Sequence, residues 1–310
     1  MLKKKLTFVL VLSIGLVLSA YFIYKAYSYL QDAKKKQIIL EKRKAAWLKI
    51  EKTLESEVAN FKGEAAIIIE DLNTGWKIAL NKDRLFPSAS LVKIPIMAAC
   101  FYGSHEGKIS LEDNLILKTS SKVPGSGFLK NMAVGSKFSV ERLIELMITE
   151  SDNTATNMLI EFLTFDYLNS FFKKAGLTRT NLSRKMMDFK YRKKGVENYT
   201  TAADIAYILE RIYRRRFVNK KISERCLALL LRQKVNDRIP AKLPSDVMVA
   251  HKTGLERNVC HDAGIVFTPE GGRFLLCILT AGKSETKKVK EFISSVSLYI
   301  YKSYQQLPGF

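Results

Sequence analysis

The stretch Phe86-Pro-Ser-Ala-Ser-Leu-Val-Lys-Ile-Pro-Ile96 places Ser90 and Lys93 three residues apart, just before an apolar run. A helix is predicted to begin near Ser90, because Pro95 is tolerated in a first turn, where its missing N–H breaks no hydrogen bond. Residues three apart lie on one helix face, so Lys93 would stand beside Ser90. The Ser-x-x-Lys spacing occurs twice more, at Ser170/Lys173 and Ser284/Lys287. Only the first copy has this flanking sequence.

Ser90 and Lys93 together suit serine acyl transfer without histidine. A serine hydroxyl is a poor nucleophile until a neighbouring base takes its proton. Burial and the positive end of a helix both disfavour the ammonium form, so the pKa of Lys93 is expected to fall toward that of a useful base. The amide N–H of Ser90 has no partner within the helix and is free to stabilise an oxyanion.

A second motif, Ser151-Asp-Asn153, occurs once in the chain. Ser, Asp and Asn are all favoured at helix N-termini, so a capping role is one interpretation. The other interpretation assigns chemistry as well. Ser151 relays a proton to a leaving nitrogen, and the Asn153 side chain binds an amide of the substrate.

A third motif, Lys252-Thr-Gly254, follows the apolar segment Val247-Met-Val-Ala250. It is typical of a strand terminus with a turn glycine, and it also suits recognition of an anionic substrate. Lys252 would supply positive charge and Thr253 a hydroxyl for a substrate carboxylate. Gly254 would allow close backbone approach, and the N–H of Leu255 would be a second oxyanion donor.

Strand signals open and close the domain, while the middle is helical. The segments with strand patterns are Ala65–Glu70, Trp76–Leu80, Val247–Lys252, Ala263–Thr268 and Arg273–Thr280. Residues 111 to 241 are mostly helical in pattern, and helical periodicity returns from Lys288 to Tyr304. We therefore predict an α/β (α+β) fold. One antiparallel sheet is built from both chain ends and flanked by helices, and an all-helical subdomain is inserted.

From about Lys62 to Leu307 the chain resembles the class A β-lactamases, within the wider penicillin-binding serine hydrolases. The block around Ser90, the block Met147-Ile-Thr-Glu-Ser-Asp-Asn-Thr-Ala-Thr-Asn157 and His261-Asp-Ala-Gly-Ile-Val266 carry the resemblance. It implies a β-lactamase/transpeptidase-like fold. It also implies an enzyme that opens a β-lactam amide without a metal or cofactor. It also implies the residue roles given above, with Ser90 as nucleophile and Lys93 and Ser151 in proton transfer. An alternative is a penicillin-binding protein or carboxypeptidase that acts on acyl-D-Ala-D-Ala-type peptides.

One part of the family pattern is missing. Class A β-lactamases carry a loop Glu-x-x-Leu-Asn, whose Glu and Asn hold the water that releases the acyl group. The matching stretch here is Asn181-Leu-Ser-Arg-Lys-Met-Met-Asp-Phe-Lys190, with Met186 and Lys190 at those positions. Asp188 is the candidate replacement base, although it could equally be an ordinary loop carboxylate paired with Arg184 or Lys185. Glu150 and Glu197 are weaker candidates.

The start of the chain predicts a membrane anchor. Residues 1–5 are basic, and the uncharged run at residues 6–24 comes close to the ~20 residues that span a bilayer. The best candidate cleavage site, Leu18-Ser-Ala20, has Leu where a small residue is wanted, which favours an uncleaved anchor. Residues 25–61 form a charged helical stalk, and its apolar stripe at Trp47, Ile50, Leu54 and Val58 predicts that the second half docks on the domain. Residues 62–310 form the catalytic domain, which is expected on the periplasmic or extracellular face.

The net charge of +21 favours anionic surroundings such as lipid head groups or wall polymers. The same charge raises the alternative of a nucleic-acid-binding module. No groove-reading or RNA-binding motif accompanies the charge, so we expect no nucleic-acid partner. A Ser-His-Asp hydrolase and an inactive, binding-only relative are the other rivals. The four cysteines show no metal-ligand spacing and are expected to be isolated and mostly buried. We expect a monomer.

Overall fold

A computed structural model describes residues 2–307, without the side chains of residues 2–11 and 14. The side chains of the predicted basic N-terminus, and of the first part of the predicted anchor, lie outside the described residues. Within the part of the chain that is described, no helix is both long and apolar enough to cross a membrane. The described chain divides into two compact units, one with α1 (Leu2–Asn60) as far as Ile50 and the residues from Gln306, the other Glu51–Gln305.

The unit Glu51–Gln305 carries the remaining secondary structure. Its helices are α2 Lys93–His105, α3 Val140–Thr149, α4 Asn153–Leu163, α5 Phe165–Lys174, α6 Phe189–Lys193, α7 Ala202–Tyr213, α8 Lys220–Leu231 and α9 Thr286–Gln305. Its strands are β1 Glu64–Asp71, β2 Lys77–Leu80, β3 Phe86–Pro87, β4 Asn114–Ile116, β5 Lys137–Ser139, β6 Tyr199–Thr200, β7 Met248–Glu256, β8 Val259–Phe267 and β9 Arg273–Ala281. Short 3₁₀ helices are Ala89–Val92, Thr119–Ser121, Leu129–Asn131 and Ile239–Lys242.

The main sheet is antiparallel and joins both ends of the domain, as predicted. Its strand order is β2-β1-β9-β8-β7, so β1 pairs with a strand more than 200 residues away in sequence. Asp71 ends β1, and its carboxylate accepts a hydrogen bond from the backbone N–H of Asn73 at 2.9 Å, which shapes the turn Asn73-Thr-Gly75 into β2. The α/β fold with an inserted helical subdomain is confirmed.

Helices cover the sheet, and the inserted subdomain packs against it in one continuous apolar core. The last helix α9 contacts β8 and β9, and the Tyr299 hydroxyl bonds to Thr53 at 2.9 Å within this unit. Leu54 is fully buried in the same unit. The predicted docking of the rest of the stalk stays a prediction. In the insert, α2 is surrounded by other helices and ten of its thirteen residues are buried, which makes it a rigid support for the residues at its start.

Two details differ from the sequence prediction. Strand β7 does not end at the Lys-Thr-Gly motif but continues through it to Glu256, so the motif lies inside the strand. The insert also contains two short strand pairs, β3 with β6 and β4 with β5. Strands of two or three residues are too short to leave an alternating pattern, which is why they were not predicted. The four cysteines are free and buried, as expected.

Candidate functional site

The candidate nucleophile Ser90 lies in the 3₁₀ helix that leads into α2, and it is partly exposed. Two hydrogen bonds fix the chain just before it. The N–H of Ser88 donates to Asn198 O at 2.7 Å, and the His261 imidazole donates to Pro87 O at 2.9 Å. Ala89 has a φ of +45°, in the left-handed region that non-glycine residues rarely adopt. A strained residue directly before a partly exposed serine is typical of a functional site.

His261 is structural and stays neutral. Its Nδ1 accepts from the N–H of Thr280 at 3.0 Å, and its Nε2 is used by Pro87. Burial lowers the pKa of His261 to about 4, so neither nitrogen is available as a base. Asp262 pairs instead with His251 at 2.8 Å. His251 adjoins Lys252 along β7 and therefore points to the opposite face of the sheet, which removes the Ser-His-Asp alternative.

Lys93 is the first residue of α2 and is fully buried. Its Nζ donates to Ser151 O at 2.7 Å, to Ser151 Oγ at 3.2 Å and to Asn153 Oδ1 at 2.8 Å. Among the described residues it makes no hydrogen bond to Ser90. The start of α2 therefore brings Lys93 to the Ser-Asp-Asn motif and not to Ser90. Catalytic hydrogen bonds often form only once the substrate is bound.

Lys252 approaches Ser151 from the sheet. Its Nζ donates to Ser151 Oγ at 3.0 Å and to Thr253 O at 3.0 Å, and it is fully buried. The Ser151 hydroxyl oxygen thus lies within hydrogen-bond distance of two buried lysines. The three motifs meet at this one oxygen, although the lysines lie 58 and 101 residues from Ser151 in sequence.

Burial and neighbouring charges lower the pKa of both lysines. Burial, followed by the charge of Lys252, holds the pKa of Lys93 well below its usual value, with Asp152 and Glu256 partly opposing. Burial lowers the pKa of Lys252 to about 7, opposed by Asp262 and assisted by the nearby guanidinium of Arg238. The lowered pKa of Lys93 favours its neutral amine, the form that can accept a proton.

The Ser-Asp-Asn motif is also a helix cap, as the first interpretation holds. Asp152 Oδ1 accepts from Ala155 N at 2.9 Å and caps α4. The Asn153 amide donates one hydrogen bond to Pro124 O at 3.3 Å, while its oxygen is taken by Lys93. One N–H of the amide is therefore left for a substrate carbonyl.

Strand β7 presents the third motif along the edge of the sheet, because no strand follows it in the order. Backbone groups on the outer side of an edge strand are free to bind a substrate, which suits the N–H of Leu255 as an oxyanion donor. The Leu255 side chain is exposed and that of Thr253 is buried. A Cβ on Gly254 would come within 3.3 Å of the Ala89 Cβ, so glycine permits the close approach of β7 to the Ser90 segment.

The loop of residues 181–198 contains the positions at which a base for deacylation was predicted. Met186 is buried, and its backbone is fixed by Asn157, which accepts from Met186 N at 2.8 Å and donates to Met186 O at 3.2 Å. Asp188 caps α6 by accepting from Tyr191 N at 3.2 Å. Glu197 is paired with Arg184 and Arg192, and Glu150 with Lys234. Each of these carboxylates already has a partner.

A buried ion cluster fastens this loop to β7. Arg184 contacts Glu197 at 2.6 Å and Glu256 at 3.1 Å, and Arg192 contacts the same two carboxylates at 3.0 and 2.9 Å. The side chains of Arg184, Glu197 and Glu256 are at most 8% exposed. Two cations and two carboxylates alternate, so the buried charges neutralise one another.

The sequence prediction missed several residues at this site. Asn157 stands one helical turn after Asn153 in the block quoted above, and that spacing could have indicated it. The roles of Arg192 and Glu256 could not be predicted from their neighbours in sequence, because the ion cluster joins residues that are far apart along the chain. Arg238, nearly fully buried before β7, contributes positive charge near Lys252 and was likewise not predicted.

A bell-shaped pH profile is expected for acylation. The neutral form of Lys93 grows as pH rises through its lowered pKa, which gives the acidic limb. The ammonium of Lys252 is lost above a pKa of about 7, which gives the alkaline limb, falling up to tenfold per pH unit for an anionic substrate. Stopped-flow measurement checks this profile, with the acylation rate constant divided by the substrate dissociation constant determined at each pH. Lys252→Arg, which cannot deprotonate, should remove the alkaline limb, and an unchanged limb would assign it to another group.

Comparisons with known proteins agree with this geometry. The sequence profile of the β-lactamase enzyme family matches residues 49–304. β-Lactamase VEB-1 of Pseudomonas aeruginosa is 23% identical over 266 residues, which cover 80% of this chain and 86% of that protein. The solved β-lactamase of Sphaerobacter thermophilus DSM 20745 is 30% identical, with a TM-score of 0.75 over 83% of this chain and 97% of its own.

Solved structures of PBP-A are similar to the same degree. PBP-A is 29% identical to this chain, with a TM-score of 0.78 over 84% of this chain and 97% of that one. A variant of PBP-A, with the same similarity, was solved as its acyl-enzyme complex with penicillin G.

An antiparallel sheet with a helical insert, and a serine, two lysines and a second serine at their junction, define a serine hydrolase of the penicillin-binding type. The chain belongs to the β-lactamase enzyme family, and the predicted resemblance to class A β-lactamases is confirmed.

Proposed function

We propose that this protein opens a β-lactam amide through an acyl-enzyme on Ser90. The observation that carries the proposal is the Ser151 hydroxyl held between Lys93 and Lys252, with Ser90 on the adjoining helix start. This arrangement supplies a proton acceptor, a proton relay and a positive charge within one buried network.

The reaction follows from these positions. Neutral Lys93 takes the Ser90 proton as Oγ attacks the amide carbonyl carbon, and the amides of Ser90 and Leu255 stabilise the oxyanion. The C–N bond then breaks, and the leaving nitrogen receives a proton through Ser151, which regains one from the lysine pair. Lys252 and Thr253 bind the substrate carboxylate, and Asn153 binds its side-chain amide. Water hydrolyses the ester, which restores Ser90 and releases a carboxylic acid.

Slow deacylation distinguishes the second candidate, a penicillin-binding protein or D-Ala-D-Ala-type carboxypeptidase. Met186 stands where the family pattern has a carboxylate, and Asp188 is used as a helix cap. Loss of one general base typically costs 10²–10⁴-fold in rate. The likeness to PBP-A supports this candidate as well.

Intact-mass spectrometry after mixing with benzylpenicillin tests both candidates. We expect an adduct of the whole penicillin mass that Ser90→Ala abolishes, and an unmodified wild-type protein would refute the acyl-enzyme. Loss of the adduct within seconds with ring-opened product indicates a β-lactamase, whereas persistence for hours indicates a penicillin-binding protein. Asp188→Asn should lengthen the adduct's life only if Asp188 activates the water, with Asp166→Asn as an exposed control.

We also propose that residues 6–24 anchor the domain outside the cytoplasm, in contact with anionic lipid or wall polymer. The uncharged run between lysines supports this, and so does the net charge of +21. A reporter that is active only in the periplasm, fused after Phe310, should be active, and the chain should stay with membranes after alkaline washing. A silent reporter, or release by the wash, would contradict the proposal.

A further inference from the structure

Two cavities flank the loop between α7 and α8, away from the candidate site. The larger, about 500 Å³, is lined by residues that include Tyr213, Arg273 and Phe267. The smaller, about 340 Å³, lies between Tyr102, Tyr207 and their neighbours. Arg216 lines both cavities, so they adjoin at this side chain. Volumes of this size are typical of ligand sites.

The lining is strongly basic. Six cationic residues line the two cavities: Lys174, Arg211, Arg214, Arg215, Arg216 and Arg273. Glu224 is the acidic residue among the described lining residues.

Part of this charge is already neutralised. Arg214 pairs with Glu70 at 3.0 Å and with Glu210 at 2.7 Å, and Arg215 pairs with Glu224 at 3.1 Å. Arg216 and Arg273 are exposed and, within residues 2–307, make no salt bridge. Both cavities therefore keep surplus positive charge, and Arg216 contributes to each.

The loop backbone is strained on both sides of Arg216. Arg215 has a φ of +57° and Val218 a φ of +55°. A β-branched residue such as Val218 is a true outlier in this region. The guanidinium of Arg211 donates to Arg216 O at 2.8 Å and stabilises the turn. Such strain points to a function for the side chains that the loop presents.

The remaining walls include aromatic rings, four of which pack in two pairs. Ring centroids lie 6.2 Å apart for Tyr213 and Phe267, and 5.2 Å apart for Tyr102 and Phe171. Lys174 lies 4.8 Å over the ring centre of Tyr102, and Arg211 lies 5.7 Å over that of Tyr207. These covered faces are poor platforms for stacking nucleic-acid bases, whereas the ring edges can contact C–H groups. The cavities are also concave, which suits a narrow chain better than the flat surface of a bilayer.

We propose that the two cavities form one binding site for a linear polymer of phosphodiester-linked polyol units, with Arg216 and Arg273 binding its phosphates. The planar guanidinium binds two phosphate oxygens at once, which makes arginine the preferred residue for such a ligand. Polyol segments between phosphates would lie against the aromatic edges. The site is separate from Ser90 and would hold the domain along an anionic polymer.

Fluorescence anisotropy of a labelled glycerol-phosphate oligomer with the full chain in uncharged detergent tests this. Arg216→Gln and Arg273→Gln should each weaken binding about tenfold, because each loses a charge-assisted contact. The double variant should weaken binding about a hundredfold, and the salt dependence should become shallower. Arg179→Gln, a matched loss of an exposed arginine outside both cavities, should change binding less than twofold. Melting temperatures verify that each variant is folded.

Three results would overturn the proposal. Equal weakening by Arg179→Gln would mean that only net charge matters. Binding of single-stranded DNA of equal charge as tightly as the oligomer would mean a general polyanion surface. Binding to phosphatidylglycerol vesicles that depends on Arg216 and Arg273, without oligomer binding, would assign the site to lipid head groups. If Arg216→Gln fails to fold, Arg216→Lys, which keeps the charge but loses the planar fork, and Arg273→Gln decide between these outcomes.

Discussion

Met186→Glu is expected to shorten the life of the penicillin adduct by 10²–10⁴-fold, because it places a general base in the deacylation loop. Hydrogen bonds to Asn157 fix the Met186 backbone, and Asn157 lies one turn from Asn153, which contacts Lys93. Residue 186 is therefore held close to the network around Ser151. Burial raises the pKa of a carboxylate at this position, which improves it as a base at neutral pH.

The decay of intact adduct mass measures this effect, with ring-opened penicillin quantified in parallel. Met186→Gln controls for the loss of methionine packing, and Phe189→Glu introduces the same charge at an exposed position of the same loop. Neither control should shorten the adduct's life more than about twofold. A folded Met186→Glu protein whose adduct lasts as long as the wild type's would show that the loop does not present residue 186 to the ester.

Lys93→Met should reduce the acylation rate constant at least 10²–10⁴-fold, the typical contribution of a general base. Methionine matches much of the length of lysine but cannot take a proton. The rate constant should fall while the dissociation constant of the substrate stays nearly unchanged, because the substrate carboxylate is assigned to Lys252. Lys252→Met should show the opposite pattern, with weaker binding and a smaller loss in the rate constant.

Stopped-flow fluorescence over a range of substrate concentrations separates the two constants. Lys93→Met removes the desolvation cost of a buried amine, but it leaves Ser151 O and Asn153 Oδ1 without their donor. These effects oppose each other, so the melting temperature should move by only a few degrees, about 2–4 °C per kcal/mol for a domain of this size. Acylation of Lys93→Met at the wild-type rate would exclude Lys93 as the base.

The sheet could be predicted from sequence because its signals are local. Alternation in Trp76–Leu80, the Asn73-Thr-Gly75 turn and the apolar strands after Val247 each fix an element within a few residues. The extension of β7 to Glu256 could not be predicted, because a Lys-Thr-Gly sequence is polar and contains glycine. Pairing with β8 along its whole length supplies the hydrogen bonds that override this weak propensity.

The residues of the site could be predicted from sequence, but the hydrogen bonds between them could not. The order and context of three motifs selected Ser90, Lys93, Ser151 and Lys252, whose roles stay predictions. Sequence spacing suggested that Lys93 faces Ser90, whereas its hydrogen bonds go to the Ser151 motif. That preference depends on the rotamer of one buried side chain and on a residue 58 positions away. The assignment of Asp188 overlooked its second property, since an aspartate before a short helix is also a good cap.

The ion cluster of Arg184, Glu197, Arg192 and Glu256 has a consequence for the range of substrates. The loop cannot swing outward to admit a wide acyl side chain unless buried charges separate, and removal of one partner from such a pair costs about 3–5 kcal/mol. The same contacts join the loop to the strand that carries the Leu255 amide. Any widening of the cleft on that side would therefore also shift an oxyanion donor, so acceptance of larger substrates and speed of acylation would oppose each other in this protein.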